Sequence, residues 1–301
     1  MRVFVTGASG WIGSAVVPEL QAAGHQVVGL ARSDAAAARL EAAGVEVRRG
    51  SLDDLDSLRA GAEDADGVIH LGFKHDFSDY AGAGRTERAV VEAFGEALAG
   101  SDRPLLLASG VAMLAPGRVA TELDATTAVG PDAPRGGSEA LALGLVDRGV
   151  RSVALRFAPT VHGEGDHGFL ATLVGIARTT GRSGYLGDGS NRWPAVHRSD
   201  AARMVRLALG AAPAGSVVHG VGEEGVPTRV IAEAIGRGLD VPVGPVAAED
   251  AAAHFGWIGA FFGVDAPTSS ALTQERLGWT PTGPSLLDDL EAGHYFRTAV
   301  G

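Results

Sequence analysis

Thr6-Gly7-Ala8-Ser9-Gly10-Trp11-Ile12-Gly13 is the stretch on which the reading of this 301-residue chain turns. The apolar run 2–6 before it reads as a strand, and the amphipathic run 11–23 after it reads as a helix closed by Gly24. Between a strand and a helix the three glycines have distinct uses. Gly7 permits the tight turn, Gly10 lets the backbone approach a pyrophosphate, and Gly13 lets the helix pack closely on the strand. The backbone N–H groups around Ser9, Trp11 and Ile12 are left free at the helix start, where they face phosphates. With Thr6 closing the strand, the stretch predicts a dinucleotide site.

Outward from that turn, short apolar runs alternate with longer amphipathic ones. Strands are expected at 26–31, 45–49, 67–71, 104–109 and 151–157. Helices are expected at 34–43, 53–60, 80–99 and 138–148, the last continuing one that opens near Pro134. This alternation is that of an α/β chain with a parallel sheet covered on both faces, a Rossmann doubly wound fold. After Phe157 the texture changes: 158–191 is rich in glycine and histidine, 200–209 reads as a helix, 216–221 as a strand, and 225–301 mixes helices with Pro- and Gly-rich turns. The expected organisation is a dinucleotide-binding domain of 1–158 and 192–222, with a smaller, C-terminal substrate lobe of 159–191 and 223–301.

Composition narrows the function. Hydrophobic residues make up 46% and charged residues 20%, ordinary for a globular chain. The net charge of -11 repels a phosphate backbone, so nucleic acid is not the expected partner. There is no cysteine, which excludes disulfides, iron–sulfur clusters and thiol nucleophiles. No signal peptide precedes the glycine turn, and no stretch reaches the about 18 apolar residues of a membrane span. A cytoplasmic protein is expected, acting on a small molecule and not on a membrane.

The end of the second strand bears on the cofactor. NAD sites usually place an acid roughly 20 residues past the glycine turn, to hold the ribose 2′-hydroxyl. Here the chain reads Gly29-Leu30-Ala31-Arg32-Ser33, with no carboxylate before Asp34. Arg32 by charge and Ser33 by hydrogen bond suit a 2′-phosphate, so the expected cofactor is NADP(H).

Further segments carry a family resemblance. The turn has the TGxxGxxG form. Leu52-Asp53 follows the third strand, and His70-Leu71-Gly72 closes the fourth. To these are added Arg156-Phe157-Ala158-Pro159-Thr160-Val161-His162-Gly163, Trp193-Pro194-Ala195-Val196-His197-Arg198-Ser199-Asp200 and Leu277-Gly278-Trp279-Thr280-Pro281. The chain resembles an extended short-chain dehydrogenase/reductase of the epimerase/dehydratase type over nearly its whole length. The resemblance implies that Leu52 and Asp53 lie by the adenine, that His70, Leu71 and Gly72 line the cofactor, and that Pro159 and Val161 lie beside the nicotinamide. It also exposes a departure. The family's Tyr-x-x-x-Lys pair, set one helical turn apart so that the cation lowers the phenol's pKa, falls on Pro134-Arg135-Gly136-Gly137-Ser138-Glu139-Ala140. Arg135 takes the Tyr place and Glu139 the Lys place, which makes this an atypical member.

Other residues are therefore candidates for the chemistry. Ser109 can donate a hydrogen bond, although Gly110 aligns with the family's catalytic position. Arg135, always protonated, is a poor proton donor but a good oxyanion clamp, unless Glu139 neutralises it as an i,i+4 pair. His75, in Phe73-Lys74-His75-Asp76 at the sheet edge, can deliver a proton or be a plain loop histidine. Tyr185 can reach the pocket or pack in a lid. His162, Glu164, Asp166 and His167 superficially resemble a metal cluster, but their spacing fits no standard site, and no metal is expected. His197 and Arg198 can meet substrate or a phosphate, or pair with Asp200. Three functions are compatible with these residues: an NADPH-dependent reductase of a carbonyl or imine, a catalytically silent NADP(H)-binding sensor, and an epimerase or dehydratase. A homodimer through helices 80–99 and 138–148 is a further expectation.

Overall fold

The computed structural model describes residues 1–75, 79–130, 132–133 and 135–297. Pro134 and Asp76, named above, lie outside them. The chain begins β1 (Arg2–Thr6), α1 (Gly13–Ala22), β2 (Gln26–Ala31), α2 (Asp34–Ala42), β3 (Glu46–Arg49), α3 (Leu55–Glu63), β4 (Gly67–His70), α4 (Tyr80–Leu98), β5 (Pro104–Gly110), α5 (Gly136–Gly144) and β6 (Arg151–Phe157). It continues through β7 (Thr160–His162), α6 (Phe169–Thr180), β8 (Ser183–Leu186), β9 (Arg192–His197), α7 (Arg198–Ala211), β10 (Ser216–Gly220), β11 (Glu223–Pro227), α8 (Thr228–Leu239) and β12 (Val243–Val246), and ends in short helices.

Seven parallel strands form the main sheet in the order β10-β6-β5-β4-β1-β2-β3. Runs such as Val3-Phe4-Val5 and Leu105-Leu106-Leu107 are wholly buried, as strands covered on both faces must be. Side chains alternate between two cores. Val3, Val5, Leu106, Val153 and Leu155 meet α1 and α7 on one face. Phe4, Val68, Leu105 and Leu107 meet α3, α4 and α5 on the other.

A third core lies around Trp193, Leu173, Ile231, Phe255, Phe262 and Leu286. Here β9 runs parallel to β7 and antiparallel to β11, while β8 pairs with β12. So β9, grouped by sequence with the dinucleotide-binding domain, joins the small sheet that carries the Trp193 core. Leu277 and Trp279 do the reverse and pack on the main sheet's core.

Most element boundaries shift by one or two residues, and two of the shifts have a clear physical cause. The third helix starts at Leu55, not Asp53, because Asp54 accepts the Ser57 amide as its cap. The expected helix 138–148 is α5 followed by a 3-10 turn, Leu145–Arg148, closed by left-handed Gly149.

The sheet order reverses between β1 and β4, and there the backbone is closest. A Cβ on Gly7 would lie 2.7 Å from the Gly72 nitrogen, and Gly7 has φ +71°. A Cβ on Gly13 would lie 2.0 Å from the Gly7 oxygen. Gly13→Ala is therefore expected to cost about 3 kcal/mol or more. Gly175→Ala, inside α6 with nothing within 4 Å of the new methyl, should gain about 0.5–1 kcal/mol. Urea unfolding of both variants checks this; a Gly13→Ala protein as stable as the parent would refute the packing account.

Candidate active site

At the carboxyl ends of β1 and β4 the glycine turn is open toward the sheet edge. Gly10 donates its amide to the Gly7 carbonyl at 2.9 Å, while the amides of Trp11, Ile12 and Gly13 make no backbone bond among the described residues, as expected of the first residues of a helix. Trp11 anchors the turn to the opposite loop: its indole donates to the Val161 carbonyl at 2.7 Å, and His167 meets its ring edge-on at 5.7 Å. The Arg198 guanidinium lies 4.1 Å from the Trp11 ring centre and donates to Ser14 Oγ at 2.6 Å. Burial holds the Arg198 pKa below its ordinary value. Asp200 is not its partner; that carboxylate takes Arg203 and the Thr282 and Gly283 amides. This places a cation beside the free helix amides, the surroundings an anion needs.

Thr6 and His70 do not face the turn's open side. The Thr6 hydroxyl accepts the Gly72 amide at 3.2 Å and shares a second hydrogen bond with His70 Nδ1 at 2.6 Å. His70 is fully buried, edge-on to Phe94, and burial followed by the charge of Arg135 pushes its pKa down to about 3. Its side chain is a neutral strut between β1 and β4. This corrects the expectation that its side chain lines the cofactor. Leu71 and Gly72 do lie at the switch point, with Leu52 packed over Gly72. Asp53 is paired with Lys74 at 2.5 Å, tying the loop after β3 to the loop after β4.

Arg32 and Ser33 lie exposed at the end of β2. Ser33 caps α2 by accepting the Ala36 amide, which leaves its proton to donate. Arg32 makes no ion pair among the described residues, and the nearby Asp34 is taken by Arg49. Pro159 lies in the turn from β6 to β7, and Val161 is the middle residue of β7.

The second half of the site surrounds Arg135. This residue holds φ +58° with ψ -70°, a positive-φ conformation outside the left-handed helical region and unusual for any residue but glycine. Its Nη1 donates to Glu87 Oε1 and to the Ala108 carbonyl, each at 3.1 Å, and its amide donates to Glu87 Oε2 at 3.2 Å. Its guanidinium carbon lies 3.9 Å from the Phe73 ring centre. Nε and Nη2 make no hydrogen bond among the described residues. Glu87 is buried, and that burial raises its pKa against the opposing pull of Arg135. Sequence reading missed this carboxylate because it sits among four other charged residues on α4, and only the fold turns it inward.

The i,i+4 pair of Arg135 with Glu139 does not form. Glu139 is fully buried and grips Arg156, with distances of 2.6 to 3.1 Å. Arg156 also donates to the Asp124 carbonyl at 2.8 Å. Both Glu139 oxygens being committed, the expectation of a catalytic Glu139 is corrected to a structural one. Ser109 stands next to Arg156 in register on β5, nearly buried, with no hydroxyl partner among the described residues. His75 is exposed beside Phe73, at 5.3 Å between rings, and desolvation followed by Arg135 lowers its pKa. Tyr185 does not reach this cluster. It is buried in β8 beneath Arg229, where a side chain at Gly189 would strike its ring.

The residues that resembled a metal cluster disperse. His162 bonds Asp289 at 2.7 Å, Asp166 accepts from Tyr295 at 3.0 Å, and His167 meets the Trp11 ring edge-on.

The model of the NAD dependent epimerase/dehydratase family matches residues 3–220, and the chain belongs to that family. It is 49% identical over 297 residues to an uncharacterized protein of Schizosaccharomyces pombe, covering 98% of this chain and 100% of the other. It is 28% identical over 278 residues, 85% of this chain and 80% of the other, to the 4-hydroxy-2-methyl-3-oxo-4-farnesyl-3,4-dihydroquinoline-1-oxide ketoreductase of Stigmatella aurantiaca. In fold it is similar to the dTDP-glucose 4,6-dehydratase DesIV of Streptomyces venezuelae, solved with NAD and TYD bound, with a TM-score of 0.78 at 20% identity over 98% of this chain and 97% of that one.

Glu139→Leu strands the buried Arg156 charge and should cost about 3–5 kcal/mol. Adding Arg156→Met should recover most of that loss. Denaturant midpoints of the single and double variants test it: a single variant within about 1 kcal/mol of the parent would mean that Arg156 needs no carboxylate there.

Proposed function

We propose that the protein is an NADPH-dependent oxidoreductase that reduces a carbonyl or imine of a small molecule, with Arg135 standing at the place of the family's catalytic tyrosine and Glu139 kept to its structural pair with Arg156. The observation that carries the reading is Arg135, a cation seated on Glu87 and the Ala108 carbonyl at the sheet edge, with Nε and Nη2 left to meet a developing oxyanion. Likeness to a ketoreductase supports reduction. The glycine cradle, which no side chain could share, fits a dinucleotide, and the free amides of Trp11 and Ile12 with Arg198 fit its pyrophosphate.

Ser9, Gly10, Trp11, Ile12 and Gly13 would hold the phosphates. Arg32 and Ser33 would hold the 2′-phosphate, Leu52, Asp53, Leu71 and Gly72 would border the adenosine half, and Pro159 and Val161 would border the nicotinamide. When bound, the reduced nicotinamide supplies the two electrons of the reduction. Arg135 holds the substrate oxygen by charge, Ser109 adds a neutral donor, and residues 159–191 and 223–301 form the lobe that encloses the substrate.

Titration with NADPH and NADH, followed by a panel of ketones, aldehydes and imines, tests the reading. NADPH is expected to bind more tightly and to be oxidised by a member of the panel. Arg32→Glu should weaken NADPH binding by about 10- to 100-fold and NADH binding little. Equal losses would sink the 2′-phosphate assignment. Arg135→Ala should lower turnover about 100-fold without changing NADPH affinity. Tight binding with no turnover across the panel would point instead to a nucleotide sensor.

A further inference from the structure

Resting on that reading, we infer that Tyr80 is the proton donor of the reduction, with Arg135 as the cation that steadies its phenolate. The tyrosine and the cation thus come from two different helices, α4 and the start of α5.

The chain has three tyrosines. Tyr185 is packed under Arg229, and the Tyr295 hydroxyl donates to Asp166 at 3.0 Å and accepts the Gly163 amide at 3.1 Å. Tyr80 opens α4 at the carboxyl edge of the sheet, one residue past its Asp79 cap. Seven residues separate it from Glu87, so the two share one face of the helix. Glu87 holds Arg135, and Arg135 stacks on Phe73 at 3.9 Å. The Tyr80 ring meets that same Phe73 edge-on, with centroids 6.0 Å apart. Phe73 therefore has the phenol, the guanidinium and His75 around it. Arg135 and Glu87 both act electrostatically on the Tyr80 hydroxyl.

His75 is the competing donor. Its lowered pKa leaves it neutral at neutral pH, with less acid to give. The Tyr80 pKa is raised, by desolvation first, so the phenol keeps its proton until the substrate oxygen takes it. Arg135 works against that rise, favouring the phenolate once it forms.

The carbonyl carbon gains a hydride equivalent from the reduced nicotinamide, which is oxidised. The carbonyl π pair withdraws to oxygen, the Tyr80 O–H bond breaks, and its proton forms the new O–H bond. The phenolate then recovers a proton from water.

Two measurements on the full chain test this. With a substrate found in the panel, Tyr80→Phe should lower kcat about 100-fold while leaving NADPH affinity unchanged. A Tyr80→Phe enzyme with parental kcat overturns the proposal while leaving the reductase reading intact. The second needs neither cofactor nor substrate. Alkaline absorbance titration of the parent minus Tyr80→Phe isolates the Tyr80 tyrosinate. Arg135→Gln should move that transition upward, and Arg135→Lys, which keeps the charge, should leave it in place. A transition indifferent to Arg135→Gln in a folded variant overturns the pairing, whether or not a substrate is known. Failure of every panel compound with an Arg135-dependent Tyr80 transition would count against the reductase reading alone.

Discussion

Between Gly7 and Gly72 there is no room for a β-carbon, and much of the arrangement at the sheet edge follows from that contact. It brings the turn after β1 against the chain leaving β4, at the point where the strand order reverses. The Thr6 hydroxyl, shared between the Gly72 amide and His70, fastens the two strands on the buried side. On the open side, the backbone of the turn is left to meet a ligand. The loop that leaves Gly72 carries Phe73 and Lys74, so the same approach sets where the aromatic platform of the second half-site begins. Moving the turn outward by one methyl group would disturb both halves.

Buried charge places the rest. Arg156–Glu139 and Arg135–Glu87 are ion pairs with at least one partner withdrawn from water. Such pairs rarely add net stability over apolar replacements, but separating either one leaves a charge stranded at a cost of several kcal/mol. Their consequence here is positional. Glu139 ties α5 to β6, and Glu87 ties the residue before α5 to α4. With both links made, Arg135 has little choice of position, and its positive-φ backbone is held there by bonds to its amide and its guanidinium. Phe73 then lies beneath the guanidinium as an apolar floor, and desolvation shifts the neighbouring His70, His75 and Tyr80 toward their neutral forms.

Local patterns made the glycine turn and its flanking elements legible in the sequence. The runs 2–6, 26–31 and 151–157 coincide with β1, β2 and β6, because wholly buried strands are continuous apolar runs bounded by polar or glycine residues. Family resemblance extended the reading to the match over residues 3–220. What sequence proximity suggested about side-chain partners was less dependable. Arg135 and Glu139 stand four apart and do not pair, His70 ends the strand neighbouring the glycine turn's own and points inward, and His162, Asp166 and His167 turn to Asp289, Tyr295 and Trp11.

The sequence by itself determined the doubly wound sheet and the turn at its switch point, since periodicity and glycine spacing act over a few residues. Only the tertiary structure decided which charges meet. Glu87 lies 48 residues from Arg135, and Arg156 lies 17 from Glu139. Nothing local distinguishes those acids from the solvated ones beside them. The choice is made by which helix face the sheet buries, because a buried charge persists only where the fold supplies its counter-charge.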